Sequence, residues 1–171
     1  DSADRLWTTD NLLGHFARAY DGGARRLLTL RYPTLQVASY SYFGNDHDRR
    51  LQRIQNLYDG ANLSQFDYTY DAEGQILSWT KLLDMTSSAL WFTYDPAKQL
   101  LSARDSEIPS AVTRQLDYGY DAAGNRTSDR NYNPNALPQN GVNDSYGINA
   151  LNQIETATVT SGGASLPAQV F

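Results

Sequence analysis

Three features predict an all-β protein made of tandem antiparallel β-hairpins, arranged as a curved open sheet or a partial barrel or shell. A Tyr-Asp pair recurs along the chain, aromatic and polar residues alternate before it, and a turn-forming Asp-x-x-Gly follows it. The clearest copy is Phe66-Asp67-Tyr68-Thr69-Tyr70-Asp71-Ala72-Glu73-Gly74-Gln75-Ile76. Its alternating rings have the period of a strand with one buried face. Asp71 then opens a type I turn and Gly74 supplies the positive φ that closes it, which leaves a bulge in the returning strand.

The other copies follow in the same frame. Trp91-Phe92-Thr93-Tyr94-Asp95-Pro96-Ala97-Lys98-Gln99-Leu100 and Leu116-Asp117-Tyr118-Gly119-Tyr120-Asp121-Ala122-Ala123-Gly124-Asn125-Arg126 repeat it closely. Phe16-Ala17-Arg18-Ala19-Tyr20-Asp21-Gly22-Gly23 is weaker. Two degenerate copies are Tyr40-Ser41-Tyr42-Phe43-Gly44, running into Arg50-Leu51, and Tyr146-Gly147-Ile148-Asn149 through Ile154. The anchors at 20, 42, 70, 94, 120 and 148 lie 22 to 28 residues apart, a loose spacing that suits hairpins with variable connectors. Pro96 fits the second turn position through its fixed φ. Lys98 stands where glycine is expected and tolerates positive φ poorly, so the hairpin at Tyr94 is expected to have a looser or different turn.

This frame divides the chain into a lead-in (1–15), an array of about six hairpins (16–159) and a frayed tail (160–171) with Gly162, Gly163 and Pro167. For Asp10–Tyr20 a short helix and a strand compete evenly. The stretch from Asn131 to Asp144, with Pro134, Pro138 and Gly141, reads as the longest and most mobile loop.

Tandem Tyr-Asp-x-x-Gly hairpins at this spacing resemble the YD-repeat, or Rhs-type, family over roughly residues 16–155. The resemblance implies a piece of a large secreted or cell-surface protein whose repeats form a β-sheet shell, as in bacterial toxin complexes and teneurins. It implies Tyr20, Asp21, Tyr70, Asp71, Tyr94, Asp95, Tyr120 and Asp121 as structural anchors, with Gly74 and Gly124 as turn residues. Its implied partners are a glycan, another protein, or the rest of the parent shell. The aspartate self-cleavage core and the toxin domain of the family have no counterpart in these residues. An isolated array also needs a cover for its aromatic face. That cover is expected from the segment Leu6–Phe16, from curling of the sheet, or from a second copy in a homodimer.

Composition narrows the function further. The chain of 171 residues is 40% hydrophobic, which argues against disorder, and its twelve tyrosines favour β structure. A formal charge of -5, with no concentrated basic stripe, argues against nucleic-acid binding. No segment is apolar for long enough to span a membrane as a helix. The absence of cysteine excludes disulfides, thiol catalysis and cysteine-based zinc sites. The opening Asp1-Ser2-Ala3-Asp4, without an initiator Met or signal peptide, reads as a fragment or processed piece.

The chemistry on offer is sparse. No nucleophile elbow, phosphate loop or His-Glu-x-x-His pattern occurs, and no catalytic residue is assigned. Asn45-Asp46-His47-Asp48 is the most suggestive cluster: Asp46, His47 and Asp48 could hold Ca²⁺ and activate a water for ester or lactone hydrolysis. The alternative is a polar hairpin loop in place of the usual turn. Trp7, Trp79 and Trp91 could stack on sugars if exposed, or form the packed side of the sheet, where residues in register with Tyr68 and Tyr70 are expected to be buried. Because Asp67/Asp71 and Asp117/Asp121 recur with the hairpin, they read as structural. The leading reading is a non-enzymatic scaffold or binding module. The alternative is a small, calcium-dependent hydrolase.

Overall fold

The computed structural model describes residues 2–108, 112–136, 141–161, 164–165 and 169–170. It is all-β and antiparallel apart from one turn of 3-10 helix at Asn45–His47. Two compact units divide the chain, Asp1–Ser87 and Ser88–Phe171. The first holds β1 (Thr8–Asn11), β2 (Gly14–Tyr20), β3 (Leu27–Arg31), β4 (Gln36–Tyr42), β5 (Leu51–Tyr58), β6 (Ala61–Tyr70) and β7 (Ile76–Leu83), each paired with the next. The second holds most of β8 (Thr86–Tyr94), then β9 (Leu100–Ile108), β10 (Val112–Tyr120), β11 (Arg126–Tyr132), β12 (Gly141–Ile148) and β13 (Ile154–Ser161). Two short strands, β14 (Ala164–Ser165) and β15 (Gln169–Val170), both pair with β13. Among the described residues the first and last strands of neither unit pair with each other, so the strand order is open.

Every predicted anchor ends an even-numbered strand: Tyr20, Tyr42, Tyr70, Tyr94, Tyr120 and Ile148. The bulge falls beside the anchor each time its register is resolved. Tyr70 faces Ile76 while Thr69 faces Ser78, which leaves Leu77 as the extra residue. The same shift puts Thr127 out of register beside Tyr120, and Leu28 beside Tyr20. A residue inserted on one strand raises the local twist and re-aims the side chains that follow.

The Lys98 expectation fails. Lys98 adopts φ +67 and donates its backbone N–H to the Asp95 carbonyl at 2.9 Å, as Gly74 and Gly124 do to Asp71 and Asp121. The Asp95 carboxylate also accepts the Gln99 N–H at 2.8 Å. These bonds fix the turn whatever residue occupies the left-handed position, so the residue there carries the conformational cost.

The stretch Asp10–Tyr20 takes the strand alternative. Gly14, at φ +118, turns the chain between β1 and β2, and Asn11 Oδ1 accepts the Leu13 N–H at 2.8 Å. Whereas the sequence frame starts the array at Phe16, the first paired strand already begins at Thr8. Of the tail, Gly162, Gly163 and Pro167 lie outside the described residues, as do 137–140 of the expected mobile loop.

Burial also corrects the sequence reading. Among the described residues the buried apolar side chains are Ala38, Ala89 and Ala103, joined by Ser102 and Ser106, and no large side chain is fully buried. Tyr68, Tyr70 and Trp79 are half-buried rather than buried. Residues 6–16 do not cover the aromatic face, because they form the edge hairpin itself. A single layer of strands has no second layer to bury its rings against.

Candidate functional site

The turn margin is the most organised part of the molecule. Asp71 Oδ1 accepts the backbone N–H groups of Glu73 and Gln75 at 2.9 Å each, while the Asp71 N–H donates to the Gln75 carbonyl at 3.0 Å. Asp121 repeats this with Ala123 and Asn125, and Asn149 with Leu151 and Gln153. A carboxylate at the turn start thus satisfies donors that the hairpin would otherwise leave unpaired. These bonds favour its charged form. The Asn125 side-chain amide, first, and then the backbone donors hold the Asp121 carboxyl below its ordinary 3.8. The Arg26 hydrogen bond does the same for Asp21.

Within each unit, hairpins are also tied to their neighbours through this margin. The hydroxyls of Tyr20, Tyr42 and Tyr120 donate to the carbonyls of Leu6, Leu27 and Leu100, at 2.8, 2.9 and 2.9 Å. Side chains just after a turn reach the following turn. Arg50 donates to the carbonyls of Asp71 at 2.7 Å and Ala72 at 3.3 Å, Gln99 to Gly124 O at 3.4 Å, and Asn125 to Asn152 Oδ1 at 3.1 Å. Arg5 makes the same reach to Gly22 and Ala24, both at 2.6 Å. The guanidinium groups of Arg5, Arg26 and Arg50 lie over the rings of Tyr20, Tyr42 and Tyr70, 4.7 to 5.8 Å from their centroids. The sequence reading passed over this position. Its signal is that Arg26, Arg50, Gln75, Gln99, Asn125 and Gln153 all follow a turn and all carry side-chain N–H donors.

The two faces differ in chemistry. On one, cross-strand rows such as Ser41–Arg53–Asp67–Thr80 and Ser102–Asp117–Arg130–Asn143 are polar. Gln65 and Gln115 donate to Asp67 and Asp117 at 2.7 Å, and Arg53 pairs with Asp67 at 2.5 Å, so the recurrent acids are held inside the sheet's own network. On the other face Trp79 lies against Phe66 and Tyr68, with centroids 6.1 and 6.4 Å away. Sequence reasoning also missed Asp129 and Asp144, which face each other across β11 and β12 beside Tyr118. Tyr146 donates to Asp129 at 3.0 Å, and Asp144 Oδ1 is buried without a hydrogen-bond partner.

The chain does not gather the Asp46–Asp48 residues around a common point. Asp46 pairs with His47 at 2.9 Å, and Asp48 pairs with Arg50 at 2.8 Å. Phe43 stacks on the His47 ring at 5.5 Å. With both carboxylates engaged by neighbouring side chains, this donor set does not fit Ca²⁺, and no group of three or more His, Cys, Asp or Glu among the described residues does. Of the three tryptophans, Trp7 and Trp91 are 56% and 42% exposed, whereas Trp79 is half-buried in its ring cluster. Shallow depressions flank Phe43. One of about 350 Å³ is lined by Asp21, Tyr40, Tyr42, Phe43, Asn45 and Arg49, among others, and one of about 220 Å³ by Phe43, His47, Arg50, Thr69 and Tyr70. No described helix is long and apolar enough to cross a membrane.

No protein-family model matches the chain, and no curated protein matches it in sequence. Among solved structures it is similar to the Tc holotoxin pore of Photorhabdus luminescens, with a TM-score of 0.50 and 14% identity over 86% of this chain. It is also similar to TcdB2–TccC3 without its hypervariable C-terminal region, with a TM-score of 0.49 and 15% identity over 95% of this chain. The chain spans only 9% and 10% of those two proteins. At this identity the likeness to the holotoxin shows the fold alone, a run of antiparallel hairpins.

Proposed function

We propose that this Rhs-type array is a non-enzymatic scaffold and binding module, part of a larger secreted or surface-attached shell, that engages a glycan or protein partner. The hairpin-to-hairpin tie along the turn margin carries this reading. The recurrent Asp side chains hold the turns while Tyr, Arg, Gln and Asn side chains hold one hairpin against the next, which is what a load-sharing wall requires and a catalytic pocket does not. The glycan version draws support from the depression at Tyr40, Tyr42 and Phe43, where rings can stack on a sugar while Asp21, Asn45 and Arg49 bond its hydroxyls. The exposed Trp7 and Trp91 offer further stacking surface.

A glycan array with the intact chain tests the binding version. Enrichment for a polysaccharide that is lost in Tyr40→Ala is the expected result, and no enrichment for any glycan would leave the scaffold role alone. The non-enzymatic reading is overturned by ester or lactone turnover that a chelator abolishes and that Asp46→Ala or Asp48→Ala removes.

A further inference from the structure

We propose that the hairpin tips of the first unit, on the rim opposite its anchored turns, dock on a lipid surface with zwitterionic headgroups, with Leu12 and Leu13 entering the apolar layer. The inference goes beyond the scaffold reading, which leaves this rim without a role. Leu12 and Leu13 form the turn between β1 and β2, closed by the Asn11–Gly14 pair, and they are 106% and 78% exposed. Leu35, in the next turn on this rim, and Leu63, close to the third, are exposed as well. The anchored turns of the same unit differ. Gly22-Gly23-Ala24, Asn45-Asp46-His47 and Ala72-Glu73-Gly74 carry no large aliphatic side chain. Solvent-facing aliphatic residues gathered on one border of a sheet mark a contact surface.

The tips are also held in place. Asn11 Oδ1 accepts the Leu13 N–H at 2.8 Å. Gly14 packs so closely on the next tip that a Cβ there would stand 2.6 Å from the Pro33 Cβ. The Tyr32 N–H donates to the Gln36 carbonyl at 3.1 Å, and the Asp59 N–H donates to the Leu35 carbonyl at 3.1 Å, which joins the second tip to the third. Fixed turns keep the leucines from folding back onto the sheet, so their apolar surface stays in water until something else covers it.

Two features favour lipid over a protein partner. The first is the order of residues toward the rim. Tyr32 and Tyr58 stand at the strand ends, partly exposed, and the leucines of the first two turns lie at the tips beyond them. A tyrosine ring with its polar hydroxyl suits the headgroup level, and aliphatic side chains suit the layer beneath it. The second is that the leucines are projecting points separated by Asn11, Thr34 and Asp59, whereas the core of a protein interface is contiguous. Charge then selects the headgroup. The chain carries a formal charge of -5, and near these tips Asp10 and Asp59 outnumber Arg31, so an anionic leaflet repels what a zwitterionic one accepts.

Because the chain has no cysteine, a single Leu12→Cys thiol can carry an environment-sensitive fluorophore, with Glu73→Cys on the anchored rim as its control. Phosphatidylcholine vesicles should shift the emission at position 12 to the blue and leave that at position 73 unchanged. Sedimentation of the unlabelled chain with the same vesicles should show partitioning weakened about tenfold by Leu12→Ser, and about as much again when Leu13→Ser is added. Urea midpoints of both variants should match the parent, since neither side chain is buried. Phosphatidylserine mixed into the vesicles should weaken partitioning about twofold, an effect that salt removes. The proposal is overturned if vesicles leave position 12 unshifted, which would return the tips to a protein partner, or if position 73 shifts equally. It is equally overturned if phosphatidylserine strengthens partitioning. A shift at position 12 that grows with protein concentration in the absence of vesicles would also overturn it, and would assign the tips to a second copy of the chain.

Discussion

Replacing Trp79 with alanine is expected to destabilise the first unit by about 2–3 kcal/mol, while Trp79→Phe should cost less than about 1 kcal/mol. The indole lies between Phe66 and Tyr68 on a face with no covering layer, so removing it leaves both rings without their main neighbour. Because Trp79 is half-buried, the loss falls below that of a fully buried indole. The indole N–H is buried without a hydrogen-bond partner, so it contributes nothing that phenylalanine would lose. Urea unfolding measures both changes, and hydrogen exchange should locate the weakening at β6 and β7, since a repeat array is stabilised chiefly by neighbour contacts. Equal losses in the two variants would mean that the indole nitrogen has a role the geometry does not give it.

The second large effect is a stability plateau bounded at both ends of the pH scale. Burial, first of all, raises the ionisation of Tyr40, Tyr42, Tyr68, Tyr70, Tyr132 and Tyr146 above the ordinary value of 10.0. Unfolded tyrosines lose their protons first as the pH rises. The stabilisation is therefore complete below about 10 and disappears as the pH climbs through the folded values. At the acid end the signs reverse. The lowered carboxyls of Asp21 and Asp121 contribute above 3.8, and that contribution is lost as the pH falls through their folded values. A circular-dichroism titration followed with tyrosinate absorbance should show β structure lost together with late tyrosine ionisation. Tyrosines that ionise at their ordinary value while the strands persist would refute the alkaline half.

Much of the fold was legible because the hairpin repeats its own punctuation. Tyr70-Asp71 and Gly74 announce a strand end, a turn and a bulge, each through local stereochemistry that needs no distant partner. The Lys98 turn was misjudged for the complementary reason: the bonds to Asp95 override an intrinsic preference worth about 1 kcal/mol. Burial was misjudged because alternation shows which face is apolar but not whether anything lies over it. The Asp129–Asp144 pair went unseen since neither residue belongs to the repeated signature, and cross-strand register is invisible along a single strand. The position after each turn could have been read, as its run of arginine, glutamine and asparagine is plain once the turns are aligned.

The ties made by Arg5, Arg50, Gln99 and Asn125 all lie along one rim of the strands, and this gives the two rims different freedoms. Along the anchored rim, a residue added between an aspartate and the side chain that reaches onward would throw that reach off its target. At the opposite rim a pair such as Asp84-Met85 reverses the chain between β7 and β8, with both residues at positive φ. Foreign loops, tags or whole domains should be accepted at that opposite rim and rejected at the anchored one, so the array can be decorated on one border without disturbing how its members are joined.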